Sequence, residues 1–172
     1  MFECYYVDMI IIGIDPGTAT TGYGVIRTKN KKLKMKNNLS CLDYGCIKTS
    51  QKFSDGERLK KINQELNKII RKYKPKVLAV EKIFFFKNLK TAMPVSQAKG
   101  VILLTASRKK IPVYEFTPLQ VKMVIGGYGR TEKKEIQKKI KTILNLKEIP
   151  KPDDAADALA IAVCYTNLVK TS

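Results

Sequence analysis

With 172 residues, 44% of them hydrophobic, the chain has enough apolar material for one sizeable core without disulfides or a structural metal. Thirty-three Lys and Arg against fifteen Asp and Glu leave a formal charge of +18, more than solubility needs, which points to a polyanionic partner. The absence of His and of any Cys-x-x-Cys pair among Cys4, Cys41, Cys46 and Cys164 excludes structural zinc; no apolar run reaches the roughly 18 residues of a membrane span, so nucleic acid is expected rather than a lipid surface. The bland alternative is a solvating lysine coat, as on proteins adapted to heat.

The opening MFECYYVD has no basic n-region and no long apolar stretch. Reduced thiols and a cytoplasmic, nucleoid-associated location are therefore expected, with residues 1–8 read as an extension ahead of the first strand. Met9 to Ile14 is a continuous apolar run stopped by Asp-Pro-Gly, which predicts a buried strand ending in a turn. Gly22 to Ile26 and about Leu33 to Ile47 complete a three-strand antiparallel meander. From Ser54 the period changes: Leu59, Ile62, Leu66, Ile69 and Tyr73 mark one face of a capped helix that Pro75 ends.

Val77 to Val80 is a second buried strand, ending on Glu81, and the aromatic run Phe84 to Phe86 follows. A helix is predicted over about Thr91 to Lys109, with Pro94 accommodated in its first turn. Its small residues Ala92, Ala98, Gly100 and Ala106 suit close packing, within the chain or across a two-fold axis. Ile111 to Phe116 is a third buried strand, Thr117-Pro118 opens a helix, and GGYGR at Gly126 to Arg130 breaks it. Helices over about Thr131 to Leu144 and Asp154 to Leu168 close a single α/β domain spanning residues 1–172, a mixed sheet with helices on its faces.

Four carboxylates stand out. Asp15 and Glu81 lie where buried strands run out, the end at which α/β sheets bind ligands. Asp154 and Asp157, three apart, share a face of the last helix. Such a set gathered in a lysine-rich chain is costly without a cation, and all-oxygen donors favour Mg²⁺ or Mn²⁺. Two such ions can activate a water and stabilise the leaving oxygen in phosphodiester hydrolysis. Each acid has an ordinary reading too: Asp15 as a turn residue, Glu81 as a solvated strand end, Asp153 and Asp154 as an N-cap and a dipole-favoured first-turn acid. Asp157, inside DAADALAIAV, is hardest to explain that way, because an unpaired carboxylate among small apolar neighbours loses its hydration. Gly17 reads as a turn glycine, while Gly22 and Gly24 suit close approach of a neighbouring element; GTATTG lacks the Lys-Ser/Thr of a P-loop.

IIIGIDPGTATTGYGVI, VLAVEKIFFFKN, QVKMVIGGYGRTEKKEIQ and DDAADALAIAVCY together resemble the RuvC family of crossover-junction endodeoxyribonucleases, in order and spacing, from about Met9 to Tyr165. The resemblance implies a ribonuclease-H-like fold with a five-stranded sheet. It also implies a homodimer that nicks two opposing strands of four-way junction DNA symmetrically, leaving 5′-phosphate and 3′-hydroxyl ends, in recombination and repair. On the family pattern Asp15, Glu81, Asp154 and Asp157 are catalytic and hold two Mg²⁺ per subunit, with Mn²⁺ a substitute, and Asp153 is a cap. Lys133 also falls at the active site; Lys122, Lys133, Arg130 and Phe84 fall to DNA contact, Phe84 by stacking on a base; and a branch-migration helicase is a further partner. As side chains alone, the lysines equally suit solvent and the ring equally suits the core. Rival readings are an ATPase of the actin and sugar-kinase superfamily, for which the chain lacks a second lobe; a non-catalytic junction-binding module; and a nuclease of the same fold acting on structured RNA.

Overall fold

In the computed structural model, residues 8–29, 38–83 and 89–169 are described, without the side chains of 89–91. The first strand, β1 (Met9–Asp15), is central, because Ile11, Ile12 and Ile14 are wholly buried and supply both faces of the sheet. It pairs antiparallel with β2 (Thr20–Thr28), which pairs antiparallel with β3 (Leu39–Lys48). On its other side it runs parallel to β4 (Val77–Glu81), which runs parallel to β5 (Val113–Phe116). The order β3-β2-β1-β4-β5 is the expected meander followed by parallel strands. The expected beginning of β3 near Leu33 lies outside the described residues.

One face carries α1 (Asp55–Tyr73) and α2 (Leu89–Arg108), packing Ile62, Leu66, Ala98 and Ile102 on Ile12, Ile14, Leu78 and Val80. A capping box opens α1, with the Ser54 amide donating to Glu57 Oε2 at 2.7 Å and the Glu57 amide to Ser54 Oγ at 3.4 Å. It ends at Lys74, in the left-handed region just before Pro75. The sequence places Pro94 in the first turn of α2, but the helix begins at Leu89, so Pro94 falls in the second turn. There its missing N–H leaves the Lys90 carbonyl without its helical donor, a local loss outweighed by the burial of Ala98, Ile102 and Ala106 further along. Ala92 too is buried, whereas Gly100 faces outward.

The other face carries α3 (Pro118–Gly126), α4 (Lys133–Ile143) and α5 (Asp153–Leu168). From Ala155 to Thr166 every residue of α5 is buried except Asp157. This helix lies almost on the backbone of the sheet. A Cβ at Gly13 would stand 2.1 Å from the Ala158 carbonyl oxygen, and one at Gly22 2.0 Å from that of Asp154. Close approach is what Gly22 and Gly24 were expected to permit, Gly24 against Leu159; Gly13 does the same from within the apolar run.

Candidate active site

Ile14 pairs with Val80 across the parallel β1–β4 ladder, so Asp15 and Glu81 leave adjacent strand ends side by side. Both belong to the α5 face, in phase with Gly13 and Ala79 respectively, and their carboxyl groups hydrogen-bond each other. The bare backbone at Gly13 and Gly22 brings the first turn of α5 down beside them, carrying Asp154 and Asp157. Sequence separations of up to about 140 residues are thereby closed.

The electrostatics follow from that crowding. Burial, reinforced by Glu81, Asp157 and Asp154, pushes the Asp15 carboxyl up from 3.8 to about 8. Glu81 is also raised, by burial first and by Asp157, while the hydrogen bond from Asp15 and the cations Lys133 and Lys99 pull the other way. Asp157 is raised by burial even though Lys133 Nζ sits 2.8 Å from its Oδ2. Burial opposes the charge on Lys133, but the Asp157 and Asp153 carboxylates hold its pKa above the ordinary value. Lys133 opens α4, which thus delivers the counter-ion to α5.

Asp153 does not cap α5. Pro152 occupies the N-cap and no side chain caps the helix, because Asp153 lies inside the first turn. It instead accepts from Gln137 Nε2 at 3.0 Å and lies 3.5 Å from Lys133 Nζ, tying α4 to α5. Lys122, on α3, lines with Glu81, Lys133 and Asp157 a cavity of about 220 Å³ whose remaining walls are apolar, Val121, Ile136 and Ile161 among them. Arg130 is exposed in the α3–α4 connection, and no described contact joins it to the acids. Phe84 lies outside the described residues.

Two contributors were not apparent from the sequence. Lys99, on α2, is only 12% exposed and holds Glu115 of β5 at 2.6 Å, placing a cation within influence of Glu81. Its one signal was being the sole charge in a run of small and apolar residues, QAKGVILLTA. Gln137 was unmarked, since a glutamine on a lysine-rich helix is ordinary.

The donor set fits hard divalent cations: four carboxylates, with the Cys46 thiol, itself raised by burial, near Asp154 and Asp15, and an acid driven towards neutrality by burial and by its acidic neighbours. Among the described residues no three such groups yet surround a common point at ligating spacing. Asp15 and Glu81 share a hydrogen bond and Asp157 is engaged by Lys133, so a cation would exchange for these internal partners.

A β3-β2-β1-β4-β5 sheet, with acids at neighbouring strand ends and on the helix laid against them, defines a ribonuclease-H-like nuclease. Residues 11–165 match the family model "Crossover junction endodeoxyribonuclease RuvC". The chain is 50% identical over 159 residues to the protein of that name from Halothermothrix orenii, covering 92% of this chain and 93% of the relative. Identity to that of Fusobacterium nucleatum is 51% over 159 residues, 92% of this chain and 80% of the relative. The structure of T. thermophilus RuvC in complex with Holliday junction substrate superposes with a TM-score of 0.87 at 33% identity, covering 95% of this chain and 96% of that one. The chain belongs to the RuvC family of crossover junction endodeoxyribonucleases. At 14% identity and a TM-score of 0.64, the yeast mitochondrial Holliday junction resolvase Ydc2 shares the fold. A family match of this extent rules out the ATPase reading.

Proposed function

We propose that this chain resolves four-way DNA junctions as a homodimer, each subunit hydrolysing one phosphodiester on opposing strands to leave sealable 5′-phosphate and 3′-hydroxyl ends. The observation that carries this reading is the placement of Asp15 and Glu81 at adjacent strand ends with the first turn of α5, which bears Asp154 and Asp157, laid beside them, in surroundings that raise the Asp15 carboxyl. A non-catalytic junction-binding module would gain from losing these acids, since each repels the backbone it binds. Asp15, Glu81, Asp154 and Asp157 would hold two Mg²⁺ per subunit, with Mn²⁺ able to substitute. When bound, the ions supply activation of the attacking water and charge stabilisation at the phosphate.

The remaining work falls to the chain's own groups. Lys133 orients Asp157 and, once that carboxylate turns to a cation, offers its ammonium to the phosphate. Lys122 presents a second positive charge across the cavity, and the apolar walls strengthen both interactions by limiting water. Arg130 and Phe84 are assigned to DNA contact, Phe84 by stacking on an unpaired base. A second copy of the chain suits the outer side of α2, where Met93 and Leu104 are 66% and 50% exposed on either side of the open Gly100. A branch-migration helicase acting on the same junction is a further partner, and the cytoplasmic nucleoid the expected location. No described helix is long and apolar enough to cross a membrane.

The test is cleavage of a synthetic four-way junction, with linear duplex and folded RNA in parallel, read on a strand-specific gel. Paired symmetric nicks in the junction, dependent on Mg²⁺ and abolished by EDTA, are expected. Unchanged cutting in EDTA, or preferential cutting of RNA, would overturn the reading.

A further inference from the structure

At the far end of the sheet, Arg71, Lys74, Lys76, Lys109 and Lys110 line a hollow of about 420 Å³ that no acid shares. Three separate segments deliver them: the end of α1, the approach to β4 and the end of α2. Lys76 immediately precedes β4, and its amide donates to the Ile10 carbonyl near the start of β1, whereas Glu81 and Asp15 close those strands. Five residues of strand put the cluster roughly 17 Å from the acids along β4.

None of these five cations forms an ion pair with an acid among the described residues. Lys48, Lys122, Lys134 and other lysines are likewise unpaired with an acid among the described residues, so what sets these five apart is that they surround one hollow. The cluster also keeps lysine where backbone geometry favours glycine: Lys74 and Lys110 have φ of 49° and 54°. Compensation of helix C-terminal dipoles accounts for single lysines at the two helix ends. It does not account for Lys76, which belongs to no helix, or for five charges of one sign around a shared hollow.

We propose that this hollow is a second DNA-binding site, which takes the sugar–phosphate backbone of a duplex other than the one being cut. A phosphate backbone requires charge and little else, whereas a protein partner would ordinarily seek an aromatic or aliphatic anchor; no aromatic lines the hollow, and its apolar residues Ile70, Pro75 and Ile111 are themselves buried and leave little surface for one. Duplex DNA is too stiff to turn from the acids round the sheet to this end, so the occupant is a separate segment. The inference rests on the chain's being a DNA-binding protein, but on no catalytic role for any acid.

The test uses the full chain carrying Asp15→Asn, saturated with an unlabelled short-armed four-way junction and then titrated with fluorescent linear duplex. The duplex is expected to bind beside the junction without displacing it. Adding R71Q, K74Q, K76Q, K109Q and K110Q should weaken that capture at least tenfold and flatten its log-log salt dependence by up to about 4.5, near 0.9 per lost phosphate contact. Junction affinity should stay within about twofold, and so should short-armed junction cutting when the five changes are made with Asp15 intact.

A second variant, Lys74→Gly with Lys110→Gly, removes two charges while suiting the left-handed backbone. It should melt no lower than the parent yet capture duplex at least threefold less. Duplex that only displaces junction, or undiminished capture by both variants, would overturn the proposal. So would displacement of duplex by poly-glutamate at lower concentration than by unlabelled duplex, which would give the hollow to an acidic protein. Should the parent bind no junction at all, the resolvase reading fails, while the loss of duplex capture still decides this one.

Discussion

The two ends of the central strands treat charge in opposite ways. Where β1 and β4 finish, acids are gathered and half-buried; where they begin, cations are gathered around an open hollow. Buried like charges lose hydration and must be compensated from within, which is why Asp15 and Glu81 share a hydrogen bond and Asp157 engages Lys133. Exposed cations stay hydrated and can stand without a partner. One end is therefore built around a missing positive charge, the other around a surplus of it.

The most forceful way to break this contrast is Asp15→Asn, which removes a central acid. Junction cleavage should fall on the order of a thousandfold with junction binding retained, as measured by single-turnover kinetics beside gel-shift titration. Cutting at the parental rate would remove Asp15 from the cation site.

The next effect is on stability. Because the folded-state pKa of Asp15 is raised from 3.8 to about 8, folding favours its protonated form. In cation-free protein that contribution is complete below about pH 4 and is lost as pH rises through 8, a change of roughly a few kcal/mol. Melting temperature in EDTA should therefore fall across this window, Asp15→Asn should flatten the fall, and Mg²⁺ should restore stability most strongly at its alkaline end. A melting curve in EDTA that improves between pH 5 and 8 would contradict the assigned direction.

Next in size is Gly13→Ala, which sets a methyl against the Ala158 carbonyl and pushes α5 from the sheet. A loss of about 3 kcal/mol is expected, lowering the melting temperature by roughly 6–12 °C. Equal loss of cleavage and junction binding would mean general unfolding, whereas cleavage falling further would show that α5 sets the spacing of the acids. The smallest effect is Lys133→Met, expected to slow cleavage roughly tenfold to a hundredfold, with Lys133→Arg recovering part of the rate. An unchanged rate would leave Lys133 as a partner of Asp153 and Asp157 alone.

Signals that act over a few residues were legible in the amino-acid order. Ser54 and the Thr117-Pro118 pair mark helix starts because a cap acts within one turn, and the structure adds Glu57 and Gln120 as the reciprocal partners of the two caps. Continuous apolar runs marked buried strands, and their ends marked Asp15 and Glu81. The start of α2 and the position of Asp153 were not legible, since a proline is tolerated beyond the first turn where later residues pack, and an acid suits the N-cap and the first turn alike. Lys99 and Gln137 were missed because their partners, Glu115 and Asp153, are 16 residues away in each case and on different elements.

By itself, then, the sequence determined the elements, the charge surplus and the family, all properties of residue identity and near-neighbour spacing. Only the tertiary structure decided that α5 rests on bare glycine backbone, that Lys133 meets Asp157, and that five cations from three segments share one hollow. Electrostatic interaction depends on separation through space, and strand order with helix placement sets that separation.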